Sequence, residues 1–571
     1  MRKENLAPQI EKKIQAWLKG PYDPLTKQAI RELLESNPQA LSDAFFKDLS
    51  FGTGGMRGVM GIGTNRMNEY TVRRATQGLA NYLLKQSPKK PSVFIGYDVR
   101  HRSREFAEET ARVLAANGIR ALVSKEVCPT PLVSFACRHF QCSAGVMITA
   151  SHNPPQYNGY KVYWNDGGQI VPPHDAGILE EVERIQNPDQ VKTGGSFEEV
   201  GSELDAAYLA VLRSLKPLTQ TPPLKILYTN LHGTGIRFIP SALKEWGHDQ
   251  LTFVEKQRPL DGNFPFAPSS NPEEAKAFEM GAEQLVQEQG DLLIATDPDA
   301  DRIGLAILHQ GKPVLLTGNQ IACVCLHHLC STQSVSSREV AIKTIVTTEL
   351  FKKIAESYGA LCIDVLTGFK YIGEQIRHLE NTSRRFLFGA EESYGYLMGT
   401  SVRDKDAAAA ACLIADAAAT AKKEGMTLVD RLHQIYRKFG IHRETLKNIA
   451  FSDSQEGLDQ MQSLMLRLRE QPPASLADTR IVNVEDYLAG QSMEGSTGLK
   501  TSLSLPSADV LRFWFADGSK LVIRPSGTEP KMKIYAEVIE KNSENMEESV
   551  LKCDARLKTL IASFENHVRK K

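Results

Sequence analysis

The chain has 571 residues, 42% hydrophobic and 24% charged, the composition of an ordinary globular protein with room for about four domains of roughly 150 residues. Its 68 Lys and Arg residues balance 68 Asp and Glu residues, so no overall field attracts nucleic acid or a membrane surface. No apolar run approaches the ~20 residues of a membrane span and the N-terminal segment is charged, so we expect a cytoplasmic protein.

The first half of the chain predicts helices followed by an α/β domain. Residues 1–45 have apolar side chains three and four apart, which indicates an N-terminal helical extension. Residues 46–213 alternate between apolar strands, such as 93–98 and 118–123, and helical segments such as 104–117. This alternation is typical of βαβ units with a mostly parallel sheet, which we take as domain I.

The α/β pattern restarts twice more. Residues 214–315 form a predicted domain II, and residues 316–445 a predicted domain III that closes with an alanine-rich helix capped by Asp406. Residues 446–571 contain strands around an Asp-Gly turn and a terminal helix, which indicates a small α+β domain IV. The predicted fold class is therefore α/β, with three consecutive βαβ-type domains followed by an α+β domain.

The nine cysteines are scattered without a CxxC pair, which suits reduced thiols. Several of them lie with two histidines between residues 321 and 330, where a metal site is one possibility. The segment is apolar and helical in pattern, so we expect a packed helix there instead of a zinc site.

Ser151 lies where an apolar strand over residues 144–148 runs into two prolines, in the stretch Thr149–Pro154. Pro154 and Pro155 lack the N–H that a helix needs and bias the preceding residue away from the helical region. Ser151 is therefore predicted to lie in a loop at a strand end, where α/β proteins commonly place ligand chemistry.

Asp297, Asp299 and Asp301 follow a second apolar strand, and alternate positions of an extended loop point the same way. Three carboxylates on one side repel one another unless a hard cation lies among them, and oxygen ligands suit Mg²⁺. An EF-hand is excluded because Arg302 occupies its glycine position. The alternatives are a solvated acidic turn and an aspartyl nucleophile of the haloacid dehalogenase type at Asp297.

Two further loops carry polar groups suited to a sugar phosphate. The turn over residues 524–528 offers an Arg fork, two hydroxyls and exposed N–H groups for a phosphate, although an ordinary β-turn explains it equally well. Glu391 and Ser393, two apart after a strand, can hydrogen-bond neighbouring hydroxyls, and a structural loop is an equal alternative. The glycine-rich stretch 52–58 lacks the spacing of a nucleotide-binding motif.

Taken together, these motifs resemble the α-D-phosphohexomutase superfamily of phosphoglucomutases and phosphomannomutases, over about residues 45–565. Thr149–Pro154 is similar to the phosphoserine loop and 297–302 to the magnesium loop. Residues 391–393 are similar to the sugar-binding loop and 524–528 to the phosphate-binding loop. The stretches 52–58, 157–161 and 367–371 resemble the long branch with phosphoglucomutase and phosphopentomutase-like proteins. Tyr394 departs from the commonest sugar loop by separating Ser393 from Gly395.

The resemblance implies a phosphoserine enzyme, Mg²⁺, a sugar 1,6-bisphosphate primer and a site where the four domains meet. The catalytic residues that it implies are Ser151, His152, Lys405 and Arg57. The metal ligands that it implies are Ser151, Asp297, Asp299 and Asp301. The substrate-binding residues that it implies are Lys161, Arg302, Thr367, Gly368, Lys370, Glu391, Ser393, Arg403, Arg524, Ser526, Gly527 and Thr528.

The expected activity is interconversion of a hexose 1-phosphate and 6-phosphate, with glucose as the first choice and mannose or a pentose as alternatives. A sugar bisphosphate synthase on the same scaffold and a silent paralogue that binds sugar phosphates remain open. Lys405 is the candidate general acid/base, with His152 nearby, or it contacts phosphate only. We expect sugar phosphates as partners, no nucleic acid or membrane, and a monomer or homodimer.

Overall fold

The computed structural model describes residues 7–52, 54–86, 90–217, 221–452, 455–526, 531–540 and 545–569. The chain divides into two compact units. Unit 1 comprises Met1–Gly318, Phe369–Gly389 and Ser393–Thr427, and unit 2 comprises Asn319–Gly368, Ala390–Glu392 and Leu428–Lys571. Among the described residues, no helix is both long enough and apolar enough to cross a membrane.

Unit 1 begins with the predicted amphipathic helices, each with a proline in its first turn, where the missing N–H costs nothing. They are α1 (Pro8–Lys19), α2 (Pro24–Ser36) and α3 (Pro38–Phe45). The side chains of Asp23 and Asn37 cap α2 and α3 by accepting from backbone N–H groups. The apolar faces pack into a small core around Trp17 and Phe45, which confirms the helices expected from the spacing.

The first sheet of unit 1 has six strands with helices between most of them. In chain order the elements are β1 (Gly55–Val59), α4 (Glu69–Gln86), β2 (Ser92–Tyr97), α5 (Ser103–Ala116), β3 (Arg120–Ser124), α6 (Thr130–His139), β4 (Ala144–Ile148), β5 (Tyr157–Trp164), α7 (His174–Glu183), β6 (Glu198–Val200) and α8 (Ser202–Ser214). The strand order is β1-β5-β4-β2-β3-β6. β2, β3, β4 and β6 are parallel, whereas β5 is antiparallel to β4.

The second sheet of unit 1 repeats this plan on a smaller scale. Its elements are β7 (Ile226–Thr229), α9 (Ile239–Glu245), β8 (Leu251–Phe253), α10 (Glu279–Glu288), β9 (Leu292–Thr296), β10 (Ile303–His309) and β11 (Lys312–Leu316). The strand order is β11-β10-β9-β7-β8, with β7, β8 and β9 parallel and β10 antiparallel to β9. The loop with Ser151 therefore connects the antiparallel strands β4 and β5, and the loop with the three aspartates connects the antiparallel strands β9 and β10.

The next stretch of chain contributes to both units. Its elements are α11 (Gly318–Thr332), β12 (Glu339–Thr344), α12 (Glu349–Ser357), β13 (Leu361–Val365), α13 (Phe369–Leu379), β14 (Arg385–Glu391), β15 (Gly395–Met398) and α14 (Ala407–Lys423). β12 and β13 pair in parallel within unit 2. Asp406 caps α14 as predicted, by accepting from the N–H groups of Ala408 and Ala409. β14 runs on to Glu391, which is therefore a strand residue.

The C-terminal part of unit 2 is antiparallel. Its elements are α15 (Leu428–Phe439), β16 (Ile441–Ala450), α16 (Gln455–Glu470), β17 (Ser475–Leu476), β18 (Thr479–Asp486), β19 (Gln491–Glu494), β20 (Lys500–Ser502), β21 (Leu511–Phe515), β22 (Lys520–Pro525), β23 (Lys531–Glu540) and α17 (Met546–Arg569). The main strand order is β16-β23-β22-β21-β18-β19-β20. The predicted hairpin is β21 and β22, and the predicted α/β class with a C-terminal α+β part is confirmed.

Candidate active site

Ser151 lies in the loop between β4 and β5, with only 5% of its surface exposed. Its φ of 53° is in the left-handed region that non-glycine residues seldom adopt. The loop holds this conformation in part because the Ser151 N–H donates to Thr149 Oγ1 at 2.8 Å. Such backbone geometry is found where the surroundings enforce it, often at functional sites.

The three aspartates lie in the loop between β9 and β10, and each is buried. One carboxylate oxygen from each lies within 4.8 Å of the others. The Ser151 hydroxyl donates to Asp297 Oδ2 at 2.7 Å, although the two residues are 146 positions apart. The structure therefore brings together the serine and the acidic loop that the sequence predicted to act together.

This acidic cluster fits a hard divalent cation. Among the described residues, Asp299 Oδ1 and Asp301 Oδ1 are buried without a hydrogen-bond partner. A buried, unsatisfied carboxylate oxygen is costly, and carboxylate oxygens are the ligands that such a cation takes. Asp297, Asp299 and Asp301 can thus bind a metal ion.

Burial and neighbouring charges shift the pKa values of Asp297 and Asp299 in opposite directions. Burial, together with the charges of Asp299 and Asp301, raises the pKa of Asp297 well above its ordinary value. Burial opposes ionisation of Asp299 as well, but the ammonium of Lys161 together with hydrogen bonds from Asp297, Lys161 and Thr130 lowers the pKa of Asp299. One carboxyl therefore holds its proton more tightly while its neighbour stays ionised.

Two lysines balance the negative charge of the cluster. Lys161 Nζ, on β5, lies 2.9 Å from Asp299 Oδ2 and 3.3 Å from Asp301 Oδ2. Although burial opposes its charge, these carboxylates raise the pKa of Lys161, which stays protonated. Lys405 Nζ lies 3.2 Å from Asp301 Oδ2 and 3.1 Å from Asp404 Oδ1. The nearest charges around Lys405 therefore include two carboxylates.

His152 and Arg57 flank the serine. His152 Nδ1 lies 3.3 Å from Ser151 Oγ. Burial and the guanidinium groups of Arg302 and Arg57 lower the pKa of His152 to about 2, so its imidazole is neutral at physiological pH. Arg57 is an exposed residue of β1 and donates to Asn153 Oδ1 at 2.9 Å. Both predicted residues thus lie at the serine loop.

Two arginines that are predicted to bind substrate form ion pairs with carboxylates of this chain. The Arg302 guanidinium pairs with Glu273, while its backbone N–H donates to Asp297 Oδ1 at 3.0 Å. The Arg403 side chain is fully buried and pairs with Glu380. These contacts give both arginines a structural role, and substrate binding by them stays a prediction.

The predicted sugar-binding residues meet in part within unit 2. The Gly368 N–H donates to Glu391 Oε1 at 3.0 Å, and the φ of Gly368 is 125°, a value that suits glycine. Among the described residues, the buried Thr367 Oγ1 has no hydrogen-bond partner. Ser393 is half-buried and belongs to unit 1. In unit 1, Lys370 Nζ lies 3.8 Å from Asp175 Oδ2.

The predicted phosphate-binding turn begins at the end of β22. Arg524 is partly exposed on that strand, opposite Lys533 of β23. The Ser526 N–H donates to the Lys531 carbonyl at 2.8 Å. Gly527 and Thr528 lie outside the described residues.

Thr130, which the sequence did not indicate, contacts the acidic cluster. It begins α6, and its hydroxyl donates to Asp299 Oδ2 at 2.8 Å, while its N–H donates to the Asp299 carbonyl at 2.8 Å. The two residues are 169 positions apart, and a threonine after a proline carries no sign of such a partner. Asp404, which accepts from Tyr163 Oη at 2.8 Å, was also missed.

A serine hydroxyl beside three carboxylates and two lysines, on a chain of successive α/β sheets, defines an enzyme of the phosphoryl-transfer class. Models of the four domains of the phosphoglucomutase/phosphomannomutase family match this chain. Alpha/beta/alpha domains I, II and III match residues 48–189, 206–310 and 317–439, and the C-terminal domain matches residues 468–548. The chain therefore belongs to the phosphoglucomutase/phosphomannomutase family, and it is a mutase, an isomerase.

Similar proteins agree with this assignment over nearly the whole chain. A phosphoglucomutase of Staphylococcus haemolyticus (strain JCSC1435) is 36% identical over 94% of this chain and 98% of its own length. A phosphoglucomutase of Staphylococcus aureus (strain MRSA252) is 35% identical over 91% of this chain and 94% of its own. A solved phosphoglucomutase/phosphomannomutase family protein from Burkholderia thailandensis shares the fold, with a TM-score of 0.66, 17% identity and coverage of 90% and 96%.

Proposed function

We propose that this mutase interconverts hexose 1-phosphate and hexose 6-phosphate, with α-D-glucose as the preferred sugar. The observation that carries the proposal is the Ser151 hydroxyl, 2.7 Å from Asp297 Oδ2 in a buried acidic cluster. The glucose preference rests on relatives named phosphoglucomutase that align over more than nine-tenths of the chain.

In the proposed cycle, a phosphoryl group on Ser151 passes to the free hydroxyl of the bound sugar phosphate. The bond from phosphorus to Ser151 Oγ breaks as the bond to the sugar oxygen forms, and the hydroxyl proton passes to a base. We assign this proton exchange to Lys405, which accepts the proton as the neutral amine. Its Nζ lies 3.2 Å from Asp301 Oδ2 and 3.1 Å from Asp404 Oδ1, the carboxylates that can take its own proton beforehand. The neutral imidazole of His152 lies 3.3 Å from Ser151 Oγ, close enough to orient that oxygen. The bound sugar bisphosphate then reorients and returns its other phosphoryl group to Ser151.

Asp297, Asp299 and Asp301 would hold the metal, together with an oxygen on Ser151, and we propose Mg²⁺ because every donor is a hard oxygen. When bound, Mg²⁺ would draw negative charge away from the transferring phosphoryl group. Lys161 contributes positive charge on the same side, since it stays protonated between Asp299 and Asp301. A sugar 1,6-bisphosphate is the proposed primer that phosphorylates Ser151 before the first turnover.

We propose that separate groups of residues bind the sugar hydroxyls and the non-reacting phosphate of the substrate. Glu391 and Ser393 would bind sugar hydroxyls, and the unsatisfied Thr367 hydroxyl supports a role for that segment as well. The non-reacting phosphate would be bound at the end of β22. The residues proposed for that phosphate are Arg524, Ser526, Gly527 and Thr528. We also propose that the substrate contacts Arg57, Gly368, Lys370, Arg302 and Arg403.

We retain the five-part division at residues 45, 213, 315 and 445 as a proposal for the domain boundaries. We also propose a reducing, cytoplasmic location, which the nine unpaired cysteines support.

The test compares kcat/KM for glucose, mannose and ribose 1-phosphates, with Mg²⁺ and a trace of the matching bisphosphate. We expect glucose 1-phosphate to give the highest value and Ser151→Ala to lose turnover with every sugar. Ser143→Ala, a serine at the opposite end of β4, is the matched control and should retain the wild-type rate. Turnover by Ser151→Ala, or a higher kcat/KM for mannose or ribose, would contradict the respective part of the proposal.

A further inference from the structure

Arg100, in the loop after β2, has its guanidinium group on the backbone of the serine loop. Nη1 donates to the carbonyls of Pro154 at 2.9 Å and Tyr157 at 3.1 Å. Nη2 donates to the carbonyl of Ser151 at 2.6 Å and to that of Asn153. Four carbonyl oxygens between residues 151 and 157 therefore converge on one planar cation, whose side chain is inaccessible to solvent.

Asp98 fixes the other side of this arrangement. Its carboxylate Oδ2 lies 3.3 Å from Arg100 Nε and accepts from Thr149 Oγ1 at 2.7 Å. Thr149 Oγ1 in turn accepts from the Ser151 N–H at 2.8 Å. Both peptide groups that flank the Cα of Ser151 are thus held, the N–H through Thr149 and Asp98 and the carbonyl by Arg100.

Ser151 needs such support because its φ of 53° is in the left-handed region, where a side chain crowds the backbone. In this conformation the hydroxyl reaches Asp297 Oδ2 at 2.7 Å. Without the bonds to its carbonyl, Ser151 would be free to return to a more common φ, and Oγ would move away from the acidic cluster.

The segment between β8 and α10 also packs against Arg100 and its neighbours. The guanidinium carbon lies 5.1 Å from the centroid of the Phe264 ring. Gly262 approaches so closely that a Cβ there would lie 2.8 Å from the Val99 carbonyl and 3.2 Å from Arg100 Cα. His101 Nε2 and Asn263 Oδ1 are 2.8 Å apart. The cation is therefore packed between two chain segments, which fixes its position.

We propose that Arg100 is a positioning residue for phosphoryl transfer, which holds the Ser151 backbone so that Oγ meets the acidic cluster in the reactive geometry. Its side chain is inaccessible to solvent, so we expect it to act on Ser151 and not on the substrate. Asp98 and Phe264 act through Arg100 by fixing its guanidinium plane. The kinetic consequence rests on the proposed function of Ser151, whereas the ordering of the loop does not.

The experiment measures two properties of Arg100→Met and Arg100→Lys. The first is amide hydrogen exchange of the peptide over residues 149–157, and the second is kcat and KM with glucose 1-phosphate. The control is Arg112→Met on α5, where the arginine is partly exposed and pairs with Glu108 and Glu109.

We expect Arg100→Met to lower kcat about 100-fold with KM within about twofold of the wild type, because misplacement by about 1 Å has that effect. Exchange should accelerate over residues 149–157 and stay unchanged elsewhere. Arg100→Lys should remain about tenfold or more below the wild type, since an ammonium lacks the planar fork that reaches four carbonyls. Arg112→Met should match the wild type in both measurements.

A kcat of Arg100→Met within about twofold of the wild type, or unchanged exchange over residues 149–157, would overturn the inference. Faster exchange across all of unit 1 would also overturn it, since Arg100 would then be a general structural residue. If Arg100→Met does not fold, Arg100→Lys decides by the same criteria. If the wild type itself lacks mutase activity while the exchange results hold, the proposed function fails and the loop-holding role stands.

Discussion

Replacing Asp297 by Asn should stabilise the metal-free protein while it removes activity. In the metal-free state three buried carboxylates have oxygens within 4.8 Å of one another. At an effective dielectric constant of about 20, two unit charges at this distance repel by about 3 kcal/mol. Asparagine has nearly the same shape and can still accept from Ser151 Oγ, so it relieves this repulsion without creating a cavity.

The size of the effect depends on pH and on metal. Burial and the neighbouring carboxylates raise the pKa of Asp297, so its contribution to stability is present at low pH and is lost as pH rises through that raised value. The advantage of Asp297→Asn should therefore grow with pH and reach at most about 3 kcal/mol. Conversely, Mg²⁺ at 100 times its Kd should stabilise the wild type by about 2.7 kcal/mol and the variant far less.

Thermal unfolding in EDTA and in Mg²⁺, at pH 6 and pH 8.5, measures this prediction. Asp249→Asn, an exposed aspartate between α9 and β8, is the matched control and should follow the wild type under all conditions. The reasoning is refuted if metal-free Asp297→Asn unfolds at or below the wild-type temperature at pH 8.5. It is also refuted if Mg²⁺ stabilises the variant as much as the wild type.

Two more predictions concern unit 2. Arg524→Ala should raise KM about 10- to 100-fold with a smaller change in kcat, because a charge-assisted hydrogen bond is worth about 1.5–3 kcal/mol. Steady-state kinetics measure this, with Arg480→Ala, which replaces an exposed arginine, as the control. An unchanged KM would exclude the phosphate role. Burial and the charge of Glu537 raise the pKa of Glu444 from 4.5 to about 7, so its stabilising contribution is present below pH 4.5 and is lost as pH rises through 7. Glu444→Gln should therefore be more stable than the wild type by up to about 3 kcal/mol at pH 8 and by little near pH 5, and a difference in urea unfolding that does not change with pH would contradict this.

Local pattern predicted much of the fold. The strand over residues 144–148 and the helix capped by Asp406 were found within a residue or two, because buried strands and capped helices leave strong signals in adjacent residues. The antiparallel orientation of β5 and β10 was missed, because a mostly parallel sheet was expected. The loops before them contain Ser151 and the three aspartates. They lack the short Asn-Gly or Asp-Gly turn that marks a hairpin, such as the one that joins β21 to β22.

The site was predictable where its residues form compact motifs. Ser151 and the three aspartates lie together as the family resemblance implied, although they follow β4 and β9, which are strands of two different sheets. The contact of Thr130 with Asp299 joins residues 169 positions apart and depends on how two sheets pack, which no local pattern encodes. The same holds for Lys405, whose ionic contacts depend on which carboxylates the fold brings beside it.

Intact-mass and peptide analysis of the purified enzyme tests the central claim most directly. After incubation with glucose 1,6-bisphosphate and Mg²⁺, the wild type should carry one phosphoryl group on Ser151. Glucose 1-phosphate should accept that group within one turnover and thereby become the sugar bisphosphate. A protein that turns over with no phosphoryl group on Ser151, or with one on Asp297, would contradict the account.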